Sequence, residues 1–394
     1  MKILHVVPTY WPAVRYGGPI VSIHALAREQ ALRGHEVEVF TTDADGDESL
    51  DVVTETPIDV DGVSVSYFPC GAPRRLFRSP SMGRALRARV AEFDLVHLHS
   101  VFLWPTLAAA RAAERVGTPW VLSPRGMLVP ELIRQRGRAR KSTWIRLFEK
   151  RTVERAAFVH ATSPIEATEL ERTGLDPRRV EVVPNGVELP QEEWGTCALP
   201  APLEGAARER KLCLFLGRVS WKKNIDRCIA GLVGSPGVHL AVAGPDDESR
   251  TPELARLATT LGVGERVHFL GAVEGALKRS LLTRSDALVL ASTSENFGNV
   301  VLEALAHGTQ VLCTSGVGAA YAVVESGAGV VVDADRGHFA RELQRTFRCS
   351  VEERDERGRR GRAWAHAHGS WSAVAEHMEE AYRRALCVPS GATS

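Results

Sequence analysis

Two carboxylates and a glycine turn lie together in the segment Ser294–Gly308, which reads SENFGNVVLEALAHG. The segment follows a short apolar run ending at Leu290, so we predict a strand, a loop and then a helix. Gly298 lets the backbone approach a ligand closely, and the free amides at a helix start favour an anion such as a diphosphate. Glu295 falls in the loop and Glu303 in the helix, where each can accept hydrogen bonds from sugar or ribose hydroxyls. Taken alone, both glutamates also fit as ordinary surface charges.

A second group of polar residues is basic and follows the apolar run 212–217. The sequence there is GRVSWKKN, which places Arg218 and Lys223 in a loop after a predicted strand. A guanidinium and an ammonium in such a loop can neutralise the charge of a leaving pyrophosphate. Lys222 competes with Lys223 for this role, and a solvated basic loop is the alternative interpretation.

The first half of the chain contributes a glycine pair and two histidines. Gly17 and Gly18 follow the first predicted strand, where a plain turn is also possible. His97 and His99 alternate along the run DLVHLH, so both side chains point to the same face of that strand. His99 stands at the carboxyl end of the strand, which favours it over the deeper His97 as a ligand contact.

Short apolar runs separated by stretches of helical spacing predict repeated βαβ units and a parallel sheet in the first half. A Ser-Pro-Ile-Glu sequence at 163–166 predicts the capped start of a helix. We expect strands at 2–7, 36–41, 63–68, 94–98, 119–123, 157–160 and 180–184, and helices at 19–33, 104–116, 142–155 and 164–173.

The pattern stops over 189–210, a polar and proline-bearing stretch that we interpret as a linker. It restarts at 211 as a second doubly wound sheet, which extends to about 370. The sequence therefore predicts an α/β protein with domains 1–188 and 211–370 and a terminal helix at about 371–386. Ligands of open α/β sheets bind at the carboxyl ends of the strands, so we expect the site in a cleft between the two domains.

Composition narrows the class of protein. The 394 residues carry 49 Lys+Arg against 48 Asp+Glu. This balance gives no positive electrostatic field that would attract nucleic acid. The seven cysteines are scattered without C-x-x-C spacing, which favours reduced thiols. Pro8 interrupts the apolar opening, so we expect no signal peptide or membrane span and a cytoplasmic location.

Two other patterns do not predict a ligand site. The acidic run 43–47 is not followed by the sixth-position glycine or the terminal glutamate of a calcium loop, so we interpret it as a polar turn. Gly316-x-Gly318 has Tyr321 where a dinucleotide fingerprint has its third glycine, so NAD is not predicted.

The spacing Glu295-x7-Glu303, with Phe297-Gly298 between, resembles the E-x7-E motif of retaining glycosyltransferases of family 4. The segment Gly217–Asn224 is similar to that family's G-R-x4-K segment, and the resemblance extends over almost the whole chain. It implies the GT-B fold, in which two Rossmann-like domains face a nucleotide-sugar cleft. It also implies sugar transfer with retention at the anomeric carbon by front-face departure of the diphosphate, without a metal or other cofactor.

The resemblance assigns a role to individual residues. Catalysis and orientation of the donor are implied for His99, Arg218, Lys223 and Glu295. Donor binding is implied for Gly17, Gly18, Phe297, Gly298, Asn299 and Glu303, with Glu303 on the ribose. Arg125, in Ser123–Leu128, resembles a residue of polysaccharide-building members and would face the acceptor. The turn Pro184–Val187 is also family-like, although a turn at the domain exit explains it without a ligand.

Two basic stretches, 74–89 and 134–155, lie in the first domain. Such a face can rest on anionic lipid, or it can be a solvated surface. The first interpretation predicts a lipid-linked acceptor and a position at the inner face of the cell membrane.

We therefore predict a glycosyltransferase that moves a sugar from a nucleoside diphosphate sugar to a hydroxyl acceptor in exopolysaccharide or glycolipid assembly. The predicted nucleotide of the donor is UDP or GDP. Glycosylation of a secondary metabolite is the alternative. A nucleotide-sugar epimerase and a non-catalytic sugar-binding protein are further alternatives, although the latter class usually carries an export signal.

Overall fold

The structure is a computed structural model that describes residues 1–13, 17–129, 144–191, 193–333 and 335–387. The chain divides into two compact units. Unit 1 comprises Met1–Asn185 and Trp371–Ser394, and unit 2 comprises Gly186–Ser370.

Unit 1 is built on an eight-stranded sheet with the order β10-β9-β8-β7-β1-β2-β6-β5. Its strands and those of a small hairpin are β1 (Lys2–Val6), β2 (Glu36–Thr42), β3 (Ala44–Asp45), β4 (Glu48–Ser49), β5 (Ile58–Val60), β6 (Val63–Phe68), β7 (Leu95–His99), β8 (Trp120–Ser123), β9 (Phe158–Ala161) and β10 (Val180–Val182). The edge strand β5 is antiparallel to β6, whereas β1 runs parallel to both of its neighbours. The predicted parallel sheet is thus present.

Helices cover both faces of this sheet. The α-helices of unit 1 span Gly18–Leu32, Pro80–Arg89, Trp104–Val116, Lys150–Arg155, Pro164–Glu171 and Trp371–Leu386. Shorter 3-10 turns span Arg74–Leu76 and Val90–Glu92, and a π-helical turn spans Ile145–Glu149. The helix cap predicted at Ser163 is formed, because the Ser163 hydroxyl accepts from the Glu166 amide at 3.1 Å.

The terminal helix Trp371–Leu386 packs on the sheet of unit 1. Its apolar face and the sheet share one core cluster, which includes Ile3, Leu95, Val121, Phe158, Trp371, Val374, Met378 and Tyr382. A charged contact holds the same helix, since Arg33 Nε lies 2.6 Å from Glu379 Oε1. The last helix is therefore part of the first unit.

Unit 2 contains a six-stranded parallel sheet with the order β13-β12-β11-β14-β15-β16. Its strands are β11 (Leu212–Leu216), β12 (His239–Ala243), β13 (Val267–Gly271), β14 (Ala287–Leu290), β15 (Gln310–Thr314) and β16 (Gly329–Val332). Its α-helices span Ala201–Arg208, Ile225–Gly231, Thr251–Thr260, Gly275–Arg284, Asn299–His307, Ala320–Ser326, Arg336–Arg348 and Val351–Trp364. Its short turns span Trp221–Lys223, Leu232–Gly234, Gly264–Arg266 and Ala365–Gly369.

The stretch 189–210, predicted as a linker, contains the helix Ala201–Arg208 and belongs to unit 2. Leu203 and Ala206 are buried in the core of that unit, and Glu204 pairs with Arg284 at 2.7 Å. The prediction of a linker without periodic structure was wrong for these residues. A helix of eight residues with Gly205 in its middle shows too few apolar positions for its period to stand out.

Candidate active site

The loop between β14 and the helix Asn299–His307 has the conformation that the sequence predicted. Strand β14 is fully buried and ends at Leu290, and the loop ends at Gly298, which has φ 86°. That backbone angle favours glycine, and an added Cβ would lie 2.9 Å from Val317 Cγ1. The helix begins directly at Asn299, so its first amides point out of the strand-to-helix turn.

A neighbouring loop after β15 holds this segment in place. The Glu295 amide donates to the Gly316 carbonyl at 2.9 Å, and the Gly318 amide donates to the Glu295 carbonyl at 3.0 Å. Phe297 is buried, and its carbonyl accepts from Ala319 at 2.7 Å. A Cβ at Gly318 would lie 2.1 Å from the Asn296 carbonyl oxygen. Sequence reasoning did not assign this role to the Gly316-x-Gly318 pattern, and close backbone contact explains both glycines.

The basic loop after β11 meets the same segment. Lys223 forms an ion pair with Glu295, and both side chains are largely buried. Asn224 fixes the two loops together, because its side-chain amide donates to the Ala291 carbonyl and the Thr293 hydroxyl at 2.8 Å. Lys222 instead lies 5.6 Å above the ring of Trp221. Of the two rival lysines, Lys223 is the one that contacts a predicted site residue.

Arg218 lies in the same loop with an exposed side chain. Its backbone is close to the loop that follows β12, since the Val219 amide donates to the Pro245 carbonyl at 2.8 Å. A Cβ at Gly244 would lie 2.0 Å from the Gly217 carbonyl oxygen, so this approach requires glycine. Among the residues that the structure describes, Arg218 makes no ion pair, which leaves its guanidinium available to an anion.

Glu303 lies one turn into the helix Asn299–His307 and pairs with Lys278 of the helix Gly275–Arg284. The Lys278 Nζ is 2.8 Å from the Glu303 Oε2, and each side chain is about one-third exposed or less. Both predicted carboxylates of unit 2 therefore face a lysine. A pair of this kind leaves the second oxygen of the carboxylate for another donor.

In unit 1, Gly17 and Gly18 were both predicted in the loop after β1, and the structure places Gly17 directly before the helix Gly18–Leu32 and Gly18 as its first residue. Gly17 has φ 84°, and its carbonyl accepts from the Ile20 amide at 3.2 Å. Val14, Arg15 and Tyr16 lie outside the described residues.

His99 ends β7 and is fully buried. Its Nε2 is 2.9 Å from His5 Nδ1, and its Nδ1 is 3.4 Å from Arg125 Nη2. Burial, reinforced by the nearby Arg125 cation, lowers the pKa of His99 well below its usual value. A hydrogen bond from His99 to a ligand would therefore have to replace one of these two partners.

Arg125 is buried as well and has φ 56°, a left-handed conformation that is rare for arginine. Its Nη1 donates to Asn185 Oδ1 at 3.0 Å, while Nη2 faces His99. Burial lowers the pKa of Arg125 to about 10, so its guanidinium remains charged at neutral pH. The structure thus joins the predicted residues His99 and Arg125 to the Asn185 of the turn at the domain exit.

His97 takes part in a different set of contacts. Its Nδ1 lies 2.6 Å from the Tyr382 hydroxyl, and its Nε2 lies 2.6 Å from the Ser123 hydroxyl. Ring nitrogens of His5, His97 and His99 lie within 4.8 Å of one another, a spacing that can hold a metal ion. Each of those nitrogens has a hydrogen-bond partner, and a cation lies beside His99, so hydrogen bonding accounts for the cluster. That the reaction needs no metal stays a prediction.

Several residues of the predicted basic stretches have partners within the protein. Arg89 pairs with Glu38 at 2.8 Å, and Arg151 and Arg155 both contact Glu114. Residues 134–141 lie outside the described part of the chain. Within that described part, none of the helices is long and apolar enough to span a bilayer.

Comparison with known proteins places this arrangement in a family. Residues 17–186 match the family model "Glycosyl transferase 4-like domain", and residues 204–364 match "Glycosyl transferases group 1". A D-inositol 3-phosphate glycosyltransferase of Nocardia farcinica is 31% identical over 95% of this chain and 86% of its own length. A protein of the same name from Actinosynnema mirum is 31% identical over 94% and 93%.

Solved structures share the fold over both units. Sucrose-phosphate synthase from Thermosynechococcus elongatus has a TM-score of 0.72 at 21% identity, covering 98% of this chain and 99% of that one. Anabaena Alr3699/HepE in complex with UDP has a TM-score of 0.74 at 19% identity, covering 98% and 100%. WaaG, a glycosyltransferase involved in lipopolysaccharide biosynthesis, has a TM-score of 0.65 at 18% identity, covering 99% and 100%. The chain belongs to the family 4 glycosyltransferases and has the α/β GT-B fold with two Rossmann-like domains, as the motifs predicted.

Proposed function

We propose that this glycosyltransferase moves a sugar from a UDP-sugar to a hydroxyl acceptor, with retention at the anomeric carbon, in exopolysaccharide or glycolipid assembly. The observation that carries the proposal is the contact between Lys223 and Glu295. It brings a cation and a sugar-binding carboxylate together beside the first amides of the helix Asn299–His307.

The diphosphate of the donor would be held by these groups of unit 2. Arg218 and Lys223 supply positive charge, and the amides from Phe297 to Asn299 supply oriented donors at a helix start. The charge on the leaving diphosphate increases as its bond to the sugar breaks, so these groups stabilise the transition state more than the bound donor.

The two glutamates have different proposed roles. Glu303 accepts from the ribose hydroxyls, and Glu295 accepts from hydroxyls of the transferred sugar. Both already lie against lysines, so the donor would share or exchange these contacts rather than bind an unpaired carboxylate. This arrangement avoids the cost of desolvating a lone charge when the donor binds.

For the chemical step, the bond between the anomeric carbon and the diphosphate oxygen breaks, and the acceptor oxygen attacks the same face. The acceptor hydroxyl transfers its proton to an oxygen of the leaving phosphate, so charge and atoms balance without a catalytic carboxylate pair. In unit 1 we assign Arg125 to the acceptor side. We assign the backbone of Gly17 and Gly18 to contacts with the diphosphate and the acceptor, and His99 to orienting the donor sugar.

Known relatives support two acceptor classes. Involvement of the structural relative WaaG in lipopolysaccharide biosynthesis favours a lipid-linked acceptor. With such an acceptor we propose a cytoplasmic enzyme that contacts the inner membrane face. The relatives at 31% identity are named for D-inositol 3-phosphate, which favours a phosphorylated polyol as the second candidate. A structural relative solved with UDP-glucose supports UDP over GDP as the nucleotide of the donor.

The donor is tested by thermal shift with UDP, GDP, ADP and TDP sugars. At 100 times the Kd, the bound nucleotide stabilises the fold by about 2.7 kcal/mol, which raises the Tm by several degrees. Glu303→Ala should abolish that shift for UDP-sugars, whereas the control Glu253→Ala removes an exposed ion pair with Arg250 and should keep it. If no nucleotide shifts the wild type, or if both variants keep the shift, the donor site is wrongly assigned.

The acceptor and stereochemistry are tested with the nucleotide that binds. Proton NMR of the product from an α-linked donor should show an α-linkage, whereas a β-linkage would refute retention. Transfer to a lipid-linked sugar but not to D-inositol 3-phosphate supports the first acceptor class, and the reverse result supports the second. Donor turnover without any acceptor would favour an epimerase.

A further inference from the structure

We propose that His5 and Tyr382 are positioning residues, which act through a one-way chain of hydrogen bonds to fix the protons of His99 and the guanidinium of Arg125. The chain lies wholly within unit 1 and includes a side chain of the terminal helix. Only the catalytic consequence rests on the proposed function, because the hydrogen-bond directions follow from the structure alone.

One end of the chain is Arg125, whose guanidinium can only donate. It donates to His99 Nδ1, so a neutral His99 carries its proton on Nε2 and donates to His5 Nδ1 at 2.9 Å. His5 must then carry its own proton on Nε2, and it donates to an oxygen of Gln30 at 2.8 Å. Burial lowers the pKa of His5 to about 4, which keeps this imidazole neutral.

The other end is the backbone carbonyl of Val183, which can only accept. His160 Nε2 lies 2.7 Å from it and therefore carries the proton, so His160 Nδ1 must accept from the Ser123 hydroxyl at 2.6 Å. Ser123 then accepts from His97 Nε2 at 2.6 Å, and His97 Nδ1 accepts from the Tyr382 hydroxyl at 2.6 Å. In this half the Tyr382 hydroxyl donates, so its oxygen can accept from a further donor.

The two halves meet at the carboxamide of Gln30. Its Oε1 accepts from His5, and its Nε2 donates to the Tyr382 hydroxyl at 3.3 Å. An amide offers one acceptor and one donor group, and the Gln30 amide uses the first for His5 and the second for Tyr382. Every imidazole of the chain is therefore a neutral Nε2–H tautomer, and no member can reverse its direction while both ends keep their partners.

This arrangement is suited to a buried cation. In the described part of the chain Arg125 contacts no carboxylate, and its Nε has no partner. The hydrogen-bond dipoles all run away from Arg125, so their negative ends face it and stabilise its charge. Tyr382 links this chain to the terminal helix, so the docking of that helix controls the residues we assign to the donor sugar and the acceptor.

The direct test is Tyr382→Phe, which removes the hydroxyl in the middle of the chain. Tyr321→Phe is the matched control, because the Tyr321 hydroxyl is buried in unit 2 without a hydrogen-bond partner in the described structure. Long-range nitrogen–proton NMR at pH 7 should show the Nε2–H tautomer for the buried histidines in wild type and control. In Tyr382→Phe the Gln30 amide loses the partner that orients it, so His5 and His99 should show mixed tautomers, whereas His160 should keep the Nε2–H tautomer that the Val183 carbonyl requires.

Kinetics provide the second readout. Loss of one buried hydrogen bond changes an equilibrium or rate constant by about tenfold. We therefore expect kcat for transfer to fall about tenfold in Tyr382→Phe. The affinity for the nucleotide should stay within twofold, because the proposed nucleotide contacts of Glu303 and Lys223 lie in unit 2. Gln30→Met, which keeps the shape but removes both polar groups, should show the same split and replaces the first variant should that one fail to fold.

Unchanged tautomers in both variants would overturn the proposal, as would unchanged kcat alongside altered tautomers. An equal loss of nucleotide affinity would indicate general unfolding rather than positioning and would also overturn it. If the wild type transfers no sugar at all, the proposed function fails, while the NMR result still decides whether the chain has the inferred direction.

Discussion

Acidification should destabilise unit 1 strongly, because its buried histidines cannot take up protons while the unit is folded. Burial lowers the pKa of His5 to about 4 and that of His160 to about 3. The pKa values of His97 and His99 are also lowered well below the usual value by burial. In the unfolded chain each imidazole has a pKa of about 6.5.

The sign follows from which state binds the proton. Between pH 7 and pH 5 the unfolded chain protonates these histidines and the folded unit does not, so the unfolded state is favoured as pH falls. Each histidine with a folded pKa near or below 4 removes about 2 kcal/mol of stability over this interval. His5 and His160 together therefore remove about 4 kcal/mol, a large part of the stability of a typical domain. The contribution is fully present above pH 6.5 and is lost towards pH 4.

The assay is hydrogen exchange by mass spectrometry at pH 7 and pH 5, read on peptides that cover β1 and β7 and corrected for intrinsic exchange rates. The free energy of opening should fall by at least about 4 kcal/mol between the two conditions. His160→Gln lowers stability at pH 7 but should reduce the pH-dependent loss by about 2 kcal/mol. The exposed His366→Gln is the control and should keep the wild-type pH dependence. A pH-dependent loss that is the same in all three proteins would refute the assignment of neutral buried imidazoles.

Two further predictions concern unit 2. Gly318→Ala should lower the Tm of unit 2 and reduce the nucleotide-induced thermal shift, because the new Cβ would lie 2.1 Å from a backbone oxygen of the loop that carries Glu295. Differential scanning calorimetry with and without UDP measures both effects. An unchanged Tm would contradict the close contact. Leu203→Ala should lower the free energy of unfolding of unit 2 in urea by about 2–5 kcal/mol, since Leu203 is fully buried. The control Val233→Ala, at an exposed position, should lower it much less. Equal losses would contradict the placement of the helix Ala201–Arg208 in the core.

The periodic features of the fold were predictable from the sequence. Strands such as β1 and β8 are short apolar runs bounded by turns, and the structure places them within a residue or two of the predicted ends. The turn at Gly298 was predictable too, because a strand, a glycine and an apolar helix follow one another directly along the chain. Local structure of this kind depends on residues that are close together in the sequence.

Contacts between distant residues were not predictable in the same way. His5, Gln30 and Tyr382 meet only after β1, two helices and the sheet have packed, and no spacing in the sequence links them. The same holds for the Lys223–Glu295 pair, because these two residues lie 72 positions apart in the chain. His99 was expected to face a ligand from its strand position, but the side chains that bury it come from other parts of unit 1.

The discontinuity of unit 1 affects how the protein is made. Residues 186–370 form unit 2 and are contiguous, so they can fold as soon as they leave the ribosome. Unit 1 remains incomplete until the helix Trp371–Leu386 has been synthesised, and until then the surface around Ile3, Leu95 and Phe158 lacks its cover. A nascent chain therefore carries an uncovered apolar patch until this helix has been made, and fragments that stop before residue 371 should aggregate on this surface.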